Sequence, residues 1–282
     1  MNNKHFYKLS NDVLIPVLGF GTWKAENGEE AISSVSQALQ VGYRHIDTAI
    51  MYGNEESVGN AVKLSGVSRE DIFITSKLSN TVRGYDETIK AVNESLEKIQ
   101  KNYIDLFLIH WPNPIKFRKE WKEQNAESWR AFEDLYKEGK LKAIGISNFQ
   151  PHHIEALLET ATISPMVNQI RVCPGDEPME TIKYCNDKGI LIEAYTPLGR
   201  GKLLNNKILQ DLAKKYNKST AQLAIRWHLQ KGYLPLPKSV TPERIKENFE
   251  VFDFEISSSD MDTMSKIESC FDEPILPDEI TF

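Results

Sequence analysis

Short apolar runs alternate along this chain with longer stretches that have a helical period. The runs Val17–Phe20, Tyr43–Asp47, Ile72–Ser76, Ile104–Ile109, Leu141–Ile146, Met166–Ile170, Ile190–Tyr195 and Tyr233–Leu236 read as eight strands. Between them apolar residues recur every three or four positions. The clearest case is Tyr85, Ile89, Val92, Leu96 and Ile99, which share one helix face. The punctuation agrees: Asn27 with Glu30 and Ser219 with Gln222 have capping-box spacing, and Thr241-Pro242 places a capping hydroxyl before a proline at the first helical position. Gly42, Gly139 and Gly189 each follow a helical pattern and precede a strand, as a left-handed helix end requires. Two helical patterns, Lys207–Tyr216 and Ser219–Gln230, lie between the last two strands, one more than strict alternation needs.

Eightfold alternation predicts an α/β fold in which a parallel sheet closes as a (β/α)8 TIM barrel, a single domain over residues 1–282. The open doubly wound sheet lacks its signature. Gly19-Phe20-Gly21-Thr22-Trp23 has neither the third glycine nor the helix start of a dinucleotide-binding turn. Two segments fall outside the alternation. Phe6–Ser10 and Val13–Ile15 flank the turn-prone Asn11-Asp12 and are expected to form a β-hairpin cap on one end of the barrel. Trp111 to Gln124, with Pro112, Pro114 and the charged run Lys116–Glu123, reads as a long connection at the face where barrel enzymes bind substrate, its Lys and Arg side chains solvated and Trp111, next to His110, the exception.

A formal net charge of −6 argues against nucleic acid or an anionic membrane as partner, which leaves a small molecule as the expected ligand. No stretch is long enough to span a bilayer, and Met1 to Asp12 lack the apolar run of a secretory signal, so the expected location is cytoplasmic. Cys173, Cys185 and Cys270 are odd in number, scattered and without metal-type spacing, which predicts reduced thiols and no metal.

The candidate chemistry lies at strand ends, which converge on one face of an α/β protein. Asp47, Lys77 and His110 each end, or lie just past, a predicted strand, and Tyr52 follows the first of these closely. A phenol with an ordinary pKa of about 10 needs a neighbour that stabilises the phenolate before it can serve as a proton donor at neutral pH. Lys77 is placed to be that neighbour, Asp47 to keep Lys77 charged and fixed, and His110 to orient a substrate carbonyl. Singly, each residue also fits a structural role: an ion pair at the barrel mouth, a packing aromatic before Gly53, a histidine satisfied by backbone. A charged, paired Lys77 argues against the alternative of a Schiff-base lyase. A third reading, a cofactor-binding subunit without turnover, has no partner-binding feature to support it.

His45-Ile-Asp-Thr-Ala with Tyr52-Gly-Asn-Glu55, Ser76-Lys77 and Leu108-Ile-His-Trp-Pro112 resemble the three signatures of the aldo-keto reductases, and the match runs from about Phe20 to Asn248. The resemblance implies a (β/α)8 barrel and a tetrad of Asp47, Tyr52, Lys77 and His110, with NADPH-dependent, reversible reduction of aldehydes, ketones and small dicarbonyls. Gly145-Ile-Ser147-Asn148-Phe149 and Val167-Asn168-Gln169 resemble the segments that hold the nicotinamide carboxamide, and Tyr195 resembles the aromatic on which that ring stacks. By the same resemblance Gly21, Thr22, Thr196, Pro197 and Leu198 fall among the cofactor contacts. The run Lys238, Ser239, Val240, Thr241, Arg244, Glu247 and Asn248 resembles the adenosine-phosphate segment, where Lys238 and Arg244 supply charge for a 2′-phosphate. Trp23 and Trp111, with His110, resemble the walls of the substrate pocket.

The sequence departs from the family pattern in two places. Arg171 and Cys173 stand where many relatives carry other residues, with Cys173 expected to be an inert buried thiol. After Cys270 there is only a short acidic tail, Phe271–Phe282, where some relatives carry a longer loop. That implies a more open site with broad activity on small carbonyls. A monomer or weak dimer is expected.

Overall fold

The computed structural model describes residues 5–282. The expected hairpin is present: β1 (Phe6–Lys8) pairs antiparallel with β2 (Leu14–Pro16), Tyr7 opposite Ile15. Asn11 Nδ2 donates to the carbonyl of Lys142 at 2.9 Å, and the Tyr7 hydroxyl donates to that of Tyr233 at 3.3 Å. Both acceptors lie at strand starts, so the hairpin plugs the N-terminal end of the barrel.

The chain then runs through β3 (Phe20–Gly21), α1 (Glu29–Val41), β4 (His45–Asp47), α2 (Glu55–Leu64), β5 (Phe73–Leu78), α3 (Tyr85–Ile99), β6 (Ile104–Ile109), α4 (Trp121–Lys137) and β7 (Leu141–Ser147). It continues through α5 (Pro151–Leu158), β8 (Val167–Arg171), α6 (Met179–Asp187), β9 (Leu191–Tyr195), α7 (Lys207–Lys215), α8 (Thr220–Gln230), β10 (Leu234–Leu236), α9 (Pro242–Phe249) and α10 (Ser258–Ser265). Strands β3 to β10 form one parallel sheet in sequence order. The amides of Gly19 and Gly21 donate to the carbonyls of Pro235 and Pro237 at 3.1 and 3.0 Å, which joins the first barrel strand to the last. All eight expected barrel strands are therefore present in a (β/α)8 barrel. Their continuous apolar runs reflect burial on both faces, by helices outside and packed side chains within.

The regular part of the first barrel strand is shorter than the expected Val17–Phe20, beginning at Phe20. A Cβ on Gly19 would meet Leu236 Cδ2 at 2.4 Å and His45 Nδ1 at 2.7 Å, so only a glycine allows the seam to close this tightly. Helix ends follow the sequence in part. Gly42, Gly139 and Gly189 all have positive φ, and Ser219 and Gln222 form the reciprocal capping box. The Asn27–Glu30 box does not form: α1 starts after Gly28, the Asn27 Oδ1 accepts from the Ser57 hydroxyl at 2.6 Å, and Glu30 accepts from the amide of Glu26 at 2.8 Å. Pro242 opens α9 as expected, but the Thr241 side chain caps nothing.

The segment from Trp111 to Gln124 is more ordered than a loop, although Lys116, Lys119 and Lys122 are exposed as expected and Arg118 is half-buried. Ile115–Glu120 form a 3-10 turn and Trp121 already begins α4. Tertiary contacts impose that helix: Trp121 packs edge-on to His153, with centroids 4.9 Å apart, and buried Asn125 donates to the Pro112 carbonyl at 2.8 Å while accepting from Arg83 Nε at 3.1 Å. The doubled helices α7 and α8 match the two helical patterns, and α10 adds one more after the barrel. Among the described residues no helix is long and apolar enough to cross a membrane.

Candidate active site

The C-terminal strand ends bring together residues far apart in sequence. Asp47 ends β4, Lys77 is the fifth residue of β5, His110 follows β6, and Tyr52 closes a 3-10 turn at Ile50–Tyr52. Lys77 is fully buried. Its ammonium donates at 2.8 Å to both carboxylate oxygens of Asp47, at 2.8 Å to the Thr48 carbonyl and at 3.3 Å to the Tyr52 hydroxyl. Burial disfavours charge on Lys77, but the Asp47 carboxylate and Tyr52 outweigh it and hold the ammonium above its ordinary pKa. The opposite balance holds at Tyr52, where burial raises the phenol's pKa although Lys77 pulls it down. His110 packs edge-on to Tyr52 with centroids 6.0 Å apart. Burial, then Lys77 and Arg83, push its pKa well below 6.5, so the imidazole is neutral near pH 7, and its Nδ1 has no hydrogen-bond partner among the described residues.

These four residues meet at a cavity of about 1260 Å³. Asp47, Tyr52 and His110 line it, together with the expected cofactor residues Gly21, Ser147, Asn148, Gln169, Tyr195, Thr196, Pro197, Leu198, Lys238, Ser239, Arg244, Glu247 and Asn248, and the expected substrate residues Trp23 and Trp111. Four expected site residues are not in its wall. Lys77 lies beneath it; Thr22 is buried and donates to the Asp47 carbonyl at 2.9 Å. Val240 is exposed, and Thr241 donates its amide to the Ser239 hydroxyl at 3.1 Å as part of the turn before α9. These last three would act by shaping the wall rather than by touching a ligand.

The amide-bearing residues are interlocked. Asn148, held at φ 63°, donates through Nδ2 to the His110 carbonyl and the Ser147 hydroxyl, each at 3.0 Å, and accepts from the Tyr195 hydroxyl at 2.7 Å. Ser147 in turn donates to the Gln169 carbonyl at 2.7 Å. Lys238 and Arg244, also on the wall, form no salt bridge among the described residues, and the start of α8 (Ser219 to Ala221) joins them there. Trp23 is 41% exposed, with Lys24 Nζ and the Arg200 guanidinium 4.6 and 5.3 Å from its ring.

Sequence reasoning missed two features. One is Glu193, fully buried in β9 behind Gln169, whose carboxyl burial, then Asp47, push up to about 8. Its position inside a continuous apolar run was the available signal. The other is the tail. Phe271–Phe282, though short, forms part of the wall: Ile275, Leu276, Ile280 and Phe282 line the cavity, and Phe282 packs edge-on to Trp111 at 5.2 Å. Asp278 accepts from Asn113 at 2.9 Å and pairs with His153 and His152 at 2.9 and 3.1 Å, while the Ile115 amide donates to the Phe282 carbonyl at 2.9 Å. Arg171, one of the departures from the family pattern, pairs with Asp176 at 2.6 Å and donates to the Glu273 carbonyl at 3.1 Å, so it anchors the tail. Cys173 is buried as expected, with its thiol pKa raised chiefly by burial, and its Sγ lies 3.9 Å from that of Cys270.

Comparison with known proteins places this geometry. The family model described as "Aldo/keto reductase family" matches residues 17–269. The glyoxal reductase of Bacillus subtilis is 48% identical, with 99% of this chain and 98% of that protein aligned. The methylglyoxal reductase DkgA of Escherichia coli is 41% identical over 95% of each. The crystal structure of a variant of Gox0644 in complex with NADPH superposes with a TM-score of 0.90 at 33% identity, covering 98% of each chain.

Proposed function

We infer that this chain, which belongs to the aldo/keto reductase family, reduces small aldehydes, ketones and dicarbonyls reversibly to alcohols with NADPH, using Tyr52 as the proton donor. One observation carries the assignment of Tyr52: its hydroxyl lies 3.3 Å from an ammonium that Asp47 holds charged at 2.8 Å, on the wall of a large cavity.

The residues fit a phosphorylated dinucleotide. The cavity wall combines an aromatic and amides, at Tyr195, Asn148 and Gln169, with two cations near the start of α9, Lys238 and Arg244, that have no carboxylate partner among the described residues. An aromatic face and amides suit a nicotinamide, whereas cations suit a 2′-phosphate and favour NADPH over NADH. Gly21 adds no side chain to the wall; a Cβ there would stand 3.3 Å from the Leu236 carbonyl oxygen. When bound, the cofactor supplies a hydride to the carbonyl carbon.

The protein's own part is the proton and the alignment. Neutral His110 holds the carbonyl oxygen. Tyr52 delivers a proton to that oxygen as charge develops on it, and Lys77 stabilises the phenolate left behind. Asp47 keeps Lys77 protonated, so its nitrogen has no lone pair to attack a carbonyl, which disfavours Schiff-base chemistry. Small substrates suit a pocket whose outer wall is the anchored tail, and the names of the glyoxal and methylglyoxal reductases support dicarbonyls as the class.

The test follows NADPH and NADH absorbance with wild type and Tyr52→Phe against aldehydes, ketones and dicarbonyls. Wild type is expected to oxidise NADPH in preference to NADH, and Tyr52→Phe to lose roughly 10²–10⁴-fold in rate. Near-normal turnover by Tyr52→Phe overturns the role given to Tyr52. Methylglyoxal and benzaldehyde-like compounds left inert by wild type overturn the substrate class.

A further inference from the structure

The carboxyl of Glu193 is a costly thing to bury. It is fully inside the barrel, its Oε1 has no hydrogen-bond partner among the described residues, and the nearest basic nitrogen, His45 Nε2, is 3.7 Å away on a histidine that is itself neutral. A half-satisfied buried acid contributes less to stability than an apolar side chain of the same volume. Its remaining oxygen makes one contact: Oε2 accepts from Gln169 Nε2 at 2.8 Å.

Gln169 and Glu193 are partners across the β8–β9 ladder, and Gln169 reaches from there to Asp47 on β4, on the opposite side of the barrel. Its Nε2 donates to Asp47 Oδ2 at 2.8 Å as well as to Glu193 Oε2. The Asp47 carboxylate can only accept, so it is the amide nitrogen that faces it, and with Glu193 Oε2 on the other hydrogen both are committed and the orientation of the amide is settled. One such bond would define an axis about which the amide swings. Two bonds from one NH2 define its plane. The Oε1 of Gln169 is then a fixed acceptor with no donor among the described residues, on a residue that lines the cavity beside Asn148, whose own amide hydrogens are already used.

We propose that Glu193 is a positioning residue for cofactor selection: by fixing the plane of the Gln169 amide, it presents a carbonyl oxygen that accepts a hydrogen bond from a primary carboxamide on the pyridine ring. The proposal rests on the reductase reading above, and it names the feature of the ring that is recognised: the amide N–H, not the carbonyl that a ketone analogue shares.

The experiment measures dissociation constants by quenching of tryptophan fluorescence, without turnover, for NADP⁺, for its 3-acetylpyridine analogue, which lacks the amide N–H, and for 2′,5′-ADP, which lacks the ring. Wild type is expected to bind NADP⁺ roughly 10-fold more tightly than the analogue, the equivalent of one hydrogen bond. In Glu193→Met that ratio falls toward one while the affinity for 2′,5′-ADP is unchanged, and Glu193→Gln, which keeps an acceptor for Gln169, restores the ratio. A ratio unchanged in Glu193→Met, or affinity for all three ligands falling together, overturns the positioning role. If Glu193→Met does not fold, the wild type alone decides: no preference for the carboxamide overturns the proposal. Failure of wild type to bind 2′,5′-ADP is a different result, and it brings down the reductase reading itself.

Discussion

Replacing Lys77 by methionine removes the cation and keeps the volume. In the wild type the ammonium sits among four oxygens, two of them from Asp47 at 2.8 Å, with the Lys77 side chain 0% and the Asp47 side chain 5% exposed. The variant leaves the Asp47 carboxylate facing Gln169 Nε2 as its one remaining side-chain donor among the described residues. Breaking a buried pair by deleting one partner costs about 3–5 kcal/mol, because the charge left behind stays buried and uncompensated. For a domain of this size that corresponds to a fall in Tm on the order of 10 °C. Asp47→Asn in the same chain removes the stranded charge, so the double variant should regain most of the loss, which additivity would not allow. Urea unfolding monitored by tryptophan fluorescence, at unchanged m-value, reads both. A loss below about 1 kcal/mol in Lys77→Met, or a double variant less stable than Lys77→Met, refutes the account of a desolvated pair. Activity should stay abolished in both variants, separating stability from proton supply.

His110 is held neutral far below pH 6.5, first by burial and then by Lys77 and Arg83. The pH profile of kcat/KM should therefore show no limb from it between pH 6 and 8. The unfolded imidazole binds a proton near pH 6.5 and the folded one only at much lower pH, so His110 contributes stability above pH 6.5 that is lost as pH falls. Urea midpoints of His110→Gln from pH 7 to 5 should decline less than those of wild type, and a steeper decline would contradict the neutral assignment. Gly145, in β7, has no room for a methyl: a Cβ would stand 2.7 Å from both Leu108 Cδ2 and the Val167 carbonyl oxygen. Gly145→Ala should cost about 1–3 kcal/mol in denaturant unfolding, and an unchanged midpoint would show that the barrel wall yields.

Much of this molecule was legible in sequence because its information is local. Period and punctuation are properties of ten-residue windows, and eight alternations leave few ways to close a parallel sheet. Strand ends in such a sheet share one face, so Asp47, Lys77 and His110 were bound to converge, with Tyr52 close behind Asp47. The Ser219–Gln222 cap formed for the same reason, since both partners lie within one turn. The Asn27–Glu30 box, with identical spacing, failed because Ser57, thirty residues away, competed for Asn27.

What tertiary structure alone decided depends on register and on long-range contacts. The pairing of Gln169 with Glu193 follows from the β8–β9 register, and its reach to Asp47 from closure of the barrel. The apolar run around Glu193 hints at its burial, but no local pattern shows which amide it would orient. The charged segment is exposed as it reads, but nothing in it showed that Trp121 and Asn125, in the first turns of α4, would meet His153 and Arg83. The tail read only as a short cover, and its anchoring over the cavity by Arg171, Asn113, His152 and His153 came with the fold. Each of these partners is brought near by the fold, after loop closure has been met by the burial of the barrel core, so the chain specifies them only once it has folded.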